Sequence, residues 1–203
     1  MLDIAFVFTI FMVTLGPIKA IPGFYALSKD MEPAERRALA LKGAFLGLAI
    51  SLVIALIMPA IGAGWRVTVD DLRIAAGILL FLSAYQVLAN DKTAPSSDAQ
   101  PKHPALSPVA IPVIITPWGA MAILMAMGLA GDNADLAKKV ILILVVIMAL
   151  NLIGMLFAKR IIDLVGVVSF KLLGWVFAVL QAGLAVHVFV HALQNWGVIG
   201  SNL

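Results

Sequence analysis

Long apolar stretches separated by short polar ones dominate the pattern of this chain. A helix needs about 20 mostly apolar residues to cross a bilayer, and six stretches meet that length. Apolar residues occur on every side of each stretch, which is typical of helices in lipid rather than of amphipathic surface helices. The six predicted spans cover residues 4–27, 43–64, 74–90, 105–130, 140–158 and 172–193.

Composition supports the same class of protein. Hydrophobic residues make up 63% of the 203 residues and charged residues 12%, against about 45–50% and 25% in soluble domains. A soluble protein of this length lacks the interior to bury so much apolar surface. The start of the chain has no basic region and no cleavage site of a signal peptide, so the first stretch is predicted to be a retained span. The absence of cysteine excludes disulfides and thiolate chemistry.

The distribution of Lys and Arg predicts the orientation in the membrane. With the amino terminus outside, nine basic residues fall in inner loops and four in outer loops. We therefore expect a multi-pass protein of the cytoplasmic (inner) membrane with both termini on the outer, periplasmic side. The polar, proline-containing stretch 91–107 reads as a cytoplasmic linker. It divides a single transmembrane domain, 1–203, into repeat one, 1–90, and repeat two, 108–203.

The two halves share a motif in the middle of their first spans. Residues 15–20 (LGPIKA) align with residues 115–120 (ITPWGA) at a spacing of 100, and Gln86 and His187 align at a spacing of 101. Three spans are an odd number, so the second half must cross the membrane in the opposite sense. The predicted fold is thus an all-α membrane protein of six helices in two inverted three-helix repeats.

Prolines are expected to break the first helix of each repeat at the midplane. Proline lacks the backbone N–H donor that a continuous helix requires. The first span contains Pro17 and Pro22, and the fourth contains Pro112 and Pro117. Such breaks free carbonyl groups for a cation and offer helix N-termini to an anionic group. Broken helices in matching positions of two repeats mark the midplane site of many secondary transporters. The alternative is that these prolines only kink the helices.

Lys19 places a charge inside the first span, where it costs roughly 2.5–3.5 kcal/mol on insertion scales. Three interpretations stay open for this residue. Its ammonium replaces a coupling cation among the freed carbonyls, binds an anionic group of the substrate, or only packs and snorkels towards the interface. The predicted substrate-binding residues are Gly16, Pro17, Lys19, Thr116, Pro117 and Gly119.

Several stretches resemble the MarC family of six-span bacterial membrane proteins. They are residues 15–24 (LGPIKAIPGF), the turn 32–37 (EPAERR), residues 110–117 (AIPVIITP) and residues 73–81 (RIAAGILLF). Some relatives are described as transporters of small neutral amino acids, so the resemblance implies transport. The family usually has Asn-Pro-Ile-Gly where this chain has residues 16–19 (GPIK), and Gly-Pro-Gly where it has residues 116–118 (TPW).

The most favoured function is a secondary transporter of a small solute, with a neutral amino acid or a related metabolite among the candidates. A non-transporting membrane partner or regulator that diverged from the family is the alternative. An enzyme is not predicted, because no acidic residue lies well inside a span and no Gly-x-Ser-x-Gly motif occurs. The pair His187 and His191 lacks a third ligand, so neither a metal nor a cofactor is expected. The expected partners are the solute and the lipid bilayer, not nucleic acid, and a homo-oligomer is compatible with the pattern.

Overall fold

A computed structural model of the chain describes residues 3–89 and 115–200. The regular structure of these residues is entirely helical, which confirms the predicted all-α class. In chain order the helices are α1 (Ile4–Leu15), α2 (Pro17–Ser28), α3 (Pro33–Gly64), α4 (Val69–Ala89), α5 (Pro117–Ala130), α6 (Ala134–Leu156), α7 (Ala158–Val165) and α8 (Val167–Asn195). The predicted linker 91–107 and the part of the fourth span before residue 115 lie outside the described residues.

Five helical segments of the described chain have the length and apolar composition needed to cross a membrane. They are Ile4–Ser28, Pro33–Gly62, Val69–Ala89, Ala134–Leu156 and Val168–Asn195. The shorter apolar helix α5 is the described part of the predicted fourth span. The chain is therefore an integral membrane protein, as its composition predicts.

Helix α3 begins at Pro33, well before the predicted start at residue 43. Proline suits a first helical turn because its missing N–H would have no partner there, and the Glu35 carboxylate is favoured beside a helix N-terminus. Arg36 in the same turn donates from Nε to the Ser28 carbonyl and from Nη2 to the Met31 carbonyl, both at 3.1 Å. Basic residues that were assigned to the first inner loop therefore lie within helix α3. The hydrogen bonds of Arg36 link the start of α3 to the end of α2.

The junction between the fifth and sixth predicted spans also differs from the prediction. Helix α6 ends at Leu156, and the eight-residue helix α7 follows after a single turn residue. Gly166, with φ of 82°, then turns the chain into α8, because only glycine adopts that conformation without strain. Lys171 was expected in a loop but lies within α8, where its Nζ is 5.2 Å from the centre of the Trp175 ring.

Helices α4 and α8 pack against each other in antiparallel fashion. Gly77 allows a close approach, because a Cβ at this position would lie 2.9 Å from Phe189 Cβ and 3.0 Å from the Ala185 carbonyl oxygen. Small residues at a helix interface permit such contact in membrane proteins. Hydrogen bonds between the two helices join Gln181 to the Leu80 carbonyl and Asn195 to Asp70.

Helix α6 lies at the centre of the described bundle. It contacts α1, α2, α3, α5 and α7, and its fully buried side chains include Leu144, Ile147, Asn151 and Met155. The faces turned away from this centre carry large exposed apolar side chains, such as Phe45 on α3 and Leu142 on α6. An apolar outer surface is what a lipid-embedded bundle requires.

Candidate functional site

The first predicted span is broken at Gly16. Helix α1 ends at Leu15, Gly16 is extended with φ of −74° and ψ of 169°, and Pro17 occupies the first position of α2. A Cβ on Gly16 would overlap the carbonyl oxygen of Met12, so the break requires glycine at this position. The predicted break at Pro17 is confirmed. A second break at Pro22 was predicted wrongly, because α2 continues through that residue, as neighbouring helices often allow.

Asn151 of α6 binds the main-chain carbonyl that the break leaves without a helical partner. In a continuous helix the Leu15 carbonyl would accept from the Lys19 amide, but that N–H bonds to the Gly16 carbonyl at 3.3 Å. Asn151, which is fully buried, instead donates from Nδ2 to the Leu15 carbonyl at 2.6 Å. Because an unmet buried carbonyl is costly, this side chain stabilises the broken conformation.

One turn further along α6, Gly154 leaves room for α2. A Cβ on Gly154 would lie 3.0 Å from Ile21 Cγ1 and 3.3 Å from Pro17 Cβ. Asn151 and Gly154 thus form one face of α6 that holds both sides of the break. The sequence identifies Asn151 as a polar residue in a span, but it does not show which carbonyl this residue would meet.

The second predicted motif begins a helix next to the first break. Thr116 is extended, with φ of −97° and ψ of 158°, and its Oγ1 accepts a hydrogen bond from the Gly119 amide at 3.2 Å. Pro117 is the first residue of α5. A Cβ on Gly119 would overlap Leu15 Cδ2, so the start of α5 lies directly against the end of α1. The predicted role of Pro112 falls outside the described residues.

Lys19 reaches across to the middle of α8. Its Nζ donates to Gln181 Oε1 at 2.9 Å, and Gln181 Nε2 donates to the Leu80 carbonyl at 2.9 Å. Gln181 is only 1% exposed and is the fifteenth of the 29 residues of α8. The lysine therefore links α2, α8 and α4 inside the bundle.

This geometry bears on the three interpretations of Lys19. Its hydrogen-bond partner lies about 21 Å from either end of α8 at 1.5 Å per residue, so the lysine packs inside the bundle, and the interpretation as a packing residue stays open beside that of a substrate-binding residue. Among the described contacts, Lys19 donates to a side-chain amide, and the Leu15 carbonyl is met by Asn151 rather than by Lys19. In the part of the chain that is described, no carboxylate forms an ion pair with Lys19.

Two polar atoms, one at the start of α5 and one in the middle of α6, are fully buried and have no hydrogen-bond partner among the described residues. They are Asn151 Oδ1 and Trp118 Nε1, the first an acceptor and the second a donor. Buried polar groups are normally paired, so both atoms are candidates for contact with a bound solute. Trp118 stands where the family usually has glycine, and neither residue was among the predicted site residues.

The six predicted site residues occupy two connected positions. Five of them lie around the contact between the end of α1 and the start of α5: Gly16, Pro17, Thr116, Pro117 and Gly119. The sixth, Lys19, points to α8. A cavity of about 480 Å³ lies elsewhere, between α1, α4, α5 and α8, and none of the six residues lines it.

Comparison with known proteins agrees with this helical architecture. The chain matches the sequence model described as MarC family integral membrane protein over residues 2–197. It is 26% identical over 189 residues to the UPF0056 membrane protein MJ1677 of Methanocaldococcus jannaschii, which covers 89% of this chain and 91% of that one. It is 24% identical over 193 residues to the UPF0056 membrane protein YvbG of Bacillus subtilis, with the same two coverages.

A further relative matches about half of the chain. The UPF0056 inner membrane protein YhgN of Escherichia coli is 27% identical over 107 residues, which is 52% of this chain and 54% of that protein. No solved structure matches. Because the family match spans nearly the whole chain, the protein is a member of the MarC family of integral membrane proteins.

Proposed function

We propose that this protein is a secondary transporter that moves a small solute across the cytoplasmic membrane. The solute binds where the end of α1 meets the start of α5, around Pro17 and Pro117, and carries an anionic group that approaches Lys19. The observation that supports this most directly is the position of the Lys19 ammonium, bonded to Gln181 at the centre of α8. An ammonium has three donors, and the described contacts account for one.

A buried charge without a counter-charge is unfavourable, and in membrane spans such residues usually mark a substrate or ion pathway. A carboxylate on the solute would supply the missing negative charge. The neutral donor Trp118 Nε1, at the start of α5, and the acceptor Asn151 Oδ1, in the middle of α6, add polar groups of both kinds. Together these groups suit a small solute with an acidic group and a further polar group, a description that includes a neutral amino acid.

The inverted repeat is part of this proposal. Residue Asn195 near the end of α8 bonds to Asp70 near the start of α4, so the third spans of the two predicted halves run in opposite directions. The same holds for the first spans, because the start of α1 and the end of α5 line one cavity. Opposed repeats around broken helices support alternating access, in which one half rocks against the other. The orientation with both termini periplasmic belongs to the same proposal.

Flux into proteoliposomes tests this function. We expect uptake of at least one labelled small solute that bears a carboxylate, and loss of that uptake in Lys19→Gln. Lys139→Gln, which removes an exposed lysine at the start of α6, is the matched control and should retain full uptake. Equal uptake by the wild type and Lys19→Gln would overturn the role of Lys19. Absence of uptake for every solute tested would favour the alternative of a non-transporting membrane partner.

A further inference from the structure

Helix α7 differs from the spans because its polar and apolar residues lie on opposite sides. At about 100° per residue, Lys159, Arg160 and Asp163 fall on one side of this helix. A helix with an apolar side and with basic residues on its polar side is typical of a segment at the surface of a membrane. The apolar residues are Ala158, Ile161, Ile162, Leu164 and Val165.

The bundle covers one part of the apolar side and leaves another part exposed. Helix α7 contacts α2, α6 and α8, and Ala158 and Ile162 are buried. Leu164, in contrast, is 85% exposed, and Phe157, immediately before the helix, is 52% exposed. Large apolar side chains are stabilised by removal from water. These two residues are therefore suited to contact with the hydrocarbon part of a lipid.

A groove runs along the exposed part of α7. It has a volume of about 300 Å³ and is lined by Phe157, Arg160, Ile161 and Leu164. These positions are three or four residues apart and share one side of a helix, so the groove extends over about 10 Å at 1.5 Å per residue. Three of the four residues are apolar, and the other carries a guanidinium. The groove therefore suits an amphiphile with an anionic group at Arg160.

Two basic side chains of α7 are available to this anionic group. Lys159 and Arg160 are both exposed, and neither forms an ion pair with any described residue. Asp163 lies on the same side of the helix but pairs with neither of them in the described structure. A guanidinium binds phosphate through two parallel hydrogen bonds. The neighbouring lysine adds a second positive charge.

The charge at this end of the bundle favours an anionic lipid over a neutral one. At the end that holds α7, residues 29–42 and 158–171 carry seven basic and four acidic side chains. At the opposite end, residues 3, 66–73 and 132–139 carry four basic and five acidic side chains. Basic residues close to a bilayer attract anionic phospholipids. The net positive end is thus the one at which the groove lies.

We propose that α7 binds one anionic phospholipid of the surrounding bilayer. The phosphate accepts hydrogen bonds from the Arg160 guanidinium, with Lys159 beside it. An acyl chain lies in the groove along Phe157, Ile161 and Leu164. None of these residues belongs to the proposed transport site, so lipid binding does not depend on the proposed function.

Native mass spectrometry of the full-length protein released from nanodiscs tests the lipid. The nanodiscs hold equal amounts of phosphatidylglycerol and phosphatidylcholine with the same acyl chains, so only the headgroups differ. We expect the protein to retain phosphatidylglycerol at least about fivefold more than phosphatidylcholine, the factor expected for one basic residue near a bilayer. Equal retention of the two lipids would overturn the proposal. Glycerol 3-phosphate should not displace the retained lipid, and displacement would mean that the site takes a soluble phosphate instead.

Variants with altered charge locate the retained lipid. Lys159→Gln/Arg160→Gln removes two adjacent exposed charges, so the protein should fold and its preference for phosphatidylglycerol should fall about fivefold or more. Lys138→Gln/Lys139→Gln is the matched control, because it removes two adjacent exposed lysines at the other end of α6. This control should keep the preference of the wild type. Equal loss in both variants, or full preference in the first, would overturn the assignment to α7.

A further variant tests the apolar part of the groove. Leu164→Ser changes a side chain that is 85% exposed, so the melting temperature should stay close to that of the wild type. The amount of retained phosphatidylglycerol should fall about threefold or more, because the acyl chain loses an apolar contact. Unchanged retention in Leu164→Ser would overturn the placement of the acyl chain in the groove.

Discussion

The Asn151 side-chain amide donates to the Leu15 carbonyl across 136 positions of sequence, at 2.6 Å. This bond joins the middle of α6 to the point where the first span breaks. The Leu15 carbonyl has no helical donor because the helix ends there, and the fully buried side chain of Asn151 supplies that donor. The broken helix is thus held by a specific contact as well as by proline.

Replacing Asn151 with leucine should destabilise the protein. The change keeps a similar volume but leaves the Leu15 carbonyl without its donor, at a cost of about 1–3 kcal/mol. Tryptophan fluorescence during thermal unfolding in detergent measures the effect. Thr9→Val, which removes an exposed hydroxyl bonded to the Ala5 carbonyl of α1, is the control and should change the melting temperature little. A melting temperature equal to that of the wild type would mean that Asn151 does not support the break.

Glycine substitutions should rank by what the new methyl group meets. Gly16→Ala overlaps the main-chain oxygen of Met12, whereas Gly119→Ala overlaps the end of the Leu15 side chain, which can rotate. We expect Gly16→Ala to lower stability by about 1–3 kcal/mol and Gly119→Ala by less. Gly183→Ala on α8 has no atom within 4 Å of the new Cβ and should be neutral or stabilising. The melting temperatures give the ranking, and an equal effect of all three variants would contradict it.

Replacing Lys19 with methionine should cost function more than stability. The variant removes a charge that is expensive to place in a span, at roughly 2.5–3.5 kcal/mol, but it leaves Gln181 Oε1 without its donor. These terms oppose each other, so we expect a melting temperature close to that of the wild type together with loss of flux. The two measurements are made on the same preparation. If Lys19→Met unfolds as readily as Asn151→Leu, the lysine is a structural residue.

The predicted orientation can be tested by labelling, because the chain contains no cysteine. Lys29 and Asp132 are exposed and follow the first span of each half. In inverted halves with the amino terminus outside, Asp132→Cys should react with a membrane-impermeant maleimide added to intact cells. Lys29→Cys should react only after the membrane is opened. Reaction of both cysteines from the same side would exclude inverted halves, and the reverse pattern would invert the topology.

The sequence predicts the spans and the first helix break, because both depend on the chemistry of neighbouring residues in the chain. Runs of about 20 apolar residues predict spans because the bilayer requires that length. Pro17 predicts a break because proline lacks a backbone donor, whereas the need for glycine at position 16, where a Cβ would overlap the Met12 carbonyl, appears only in the structure. Pro22 shows the limit of this reasoning: the same missing donor is tolerated inside α2 because neighbouring helices support the chain.

The helix boundaries were harder to predict, because hydropathy does not show where a helix ends. Basic residues such as Arg36 and Lys171 were assigned to loops, but each lies within a helix that extends beyond its apolar part. Hydropathy reports how much of a helix contacts lipid, and it does not report where the backbone hydrogen bonds end. Caps and turn residues, such as Gly166, decide that point.

The sequence by itself determined that this is a membrane-embedded helical protein, that its first span breaks at Pro17, and that a lysine lies inside that span. Only the tertiary structure decided that Asn151 meets the broken end and that Gln181, 162 positions away, holds Lys19. The physical reason is that these helices are apolar on all sides. Periodicity therefore does not indicate which face is buried, and a polar side chain finds its partner only when the helices pack.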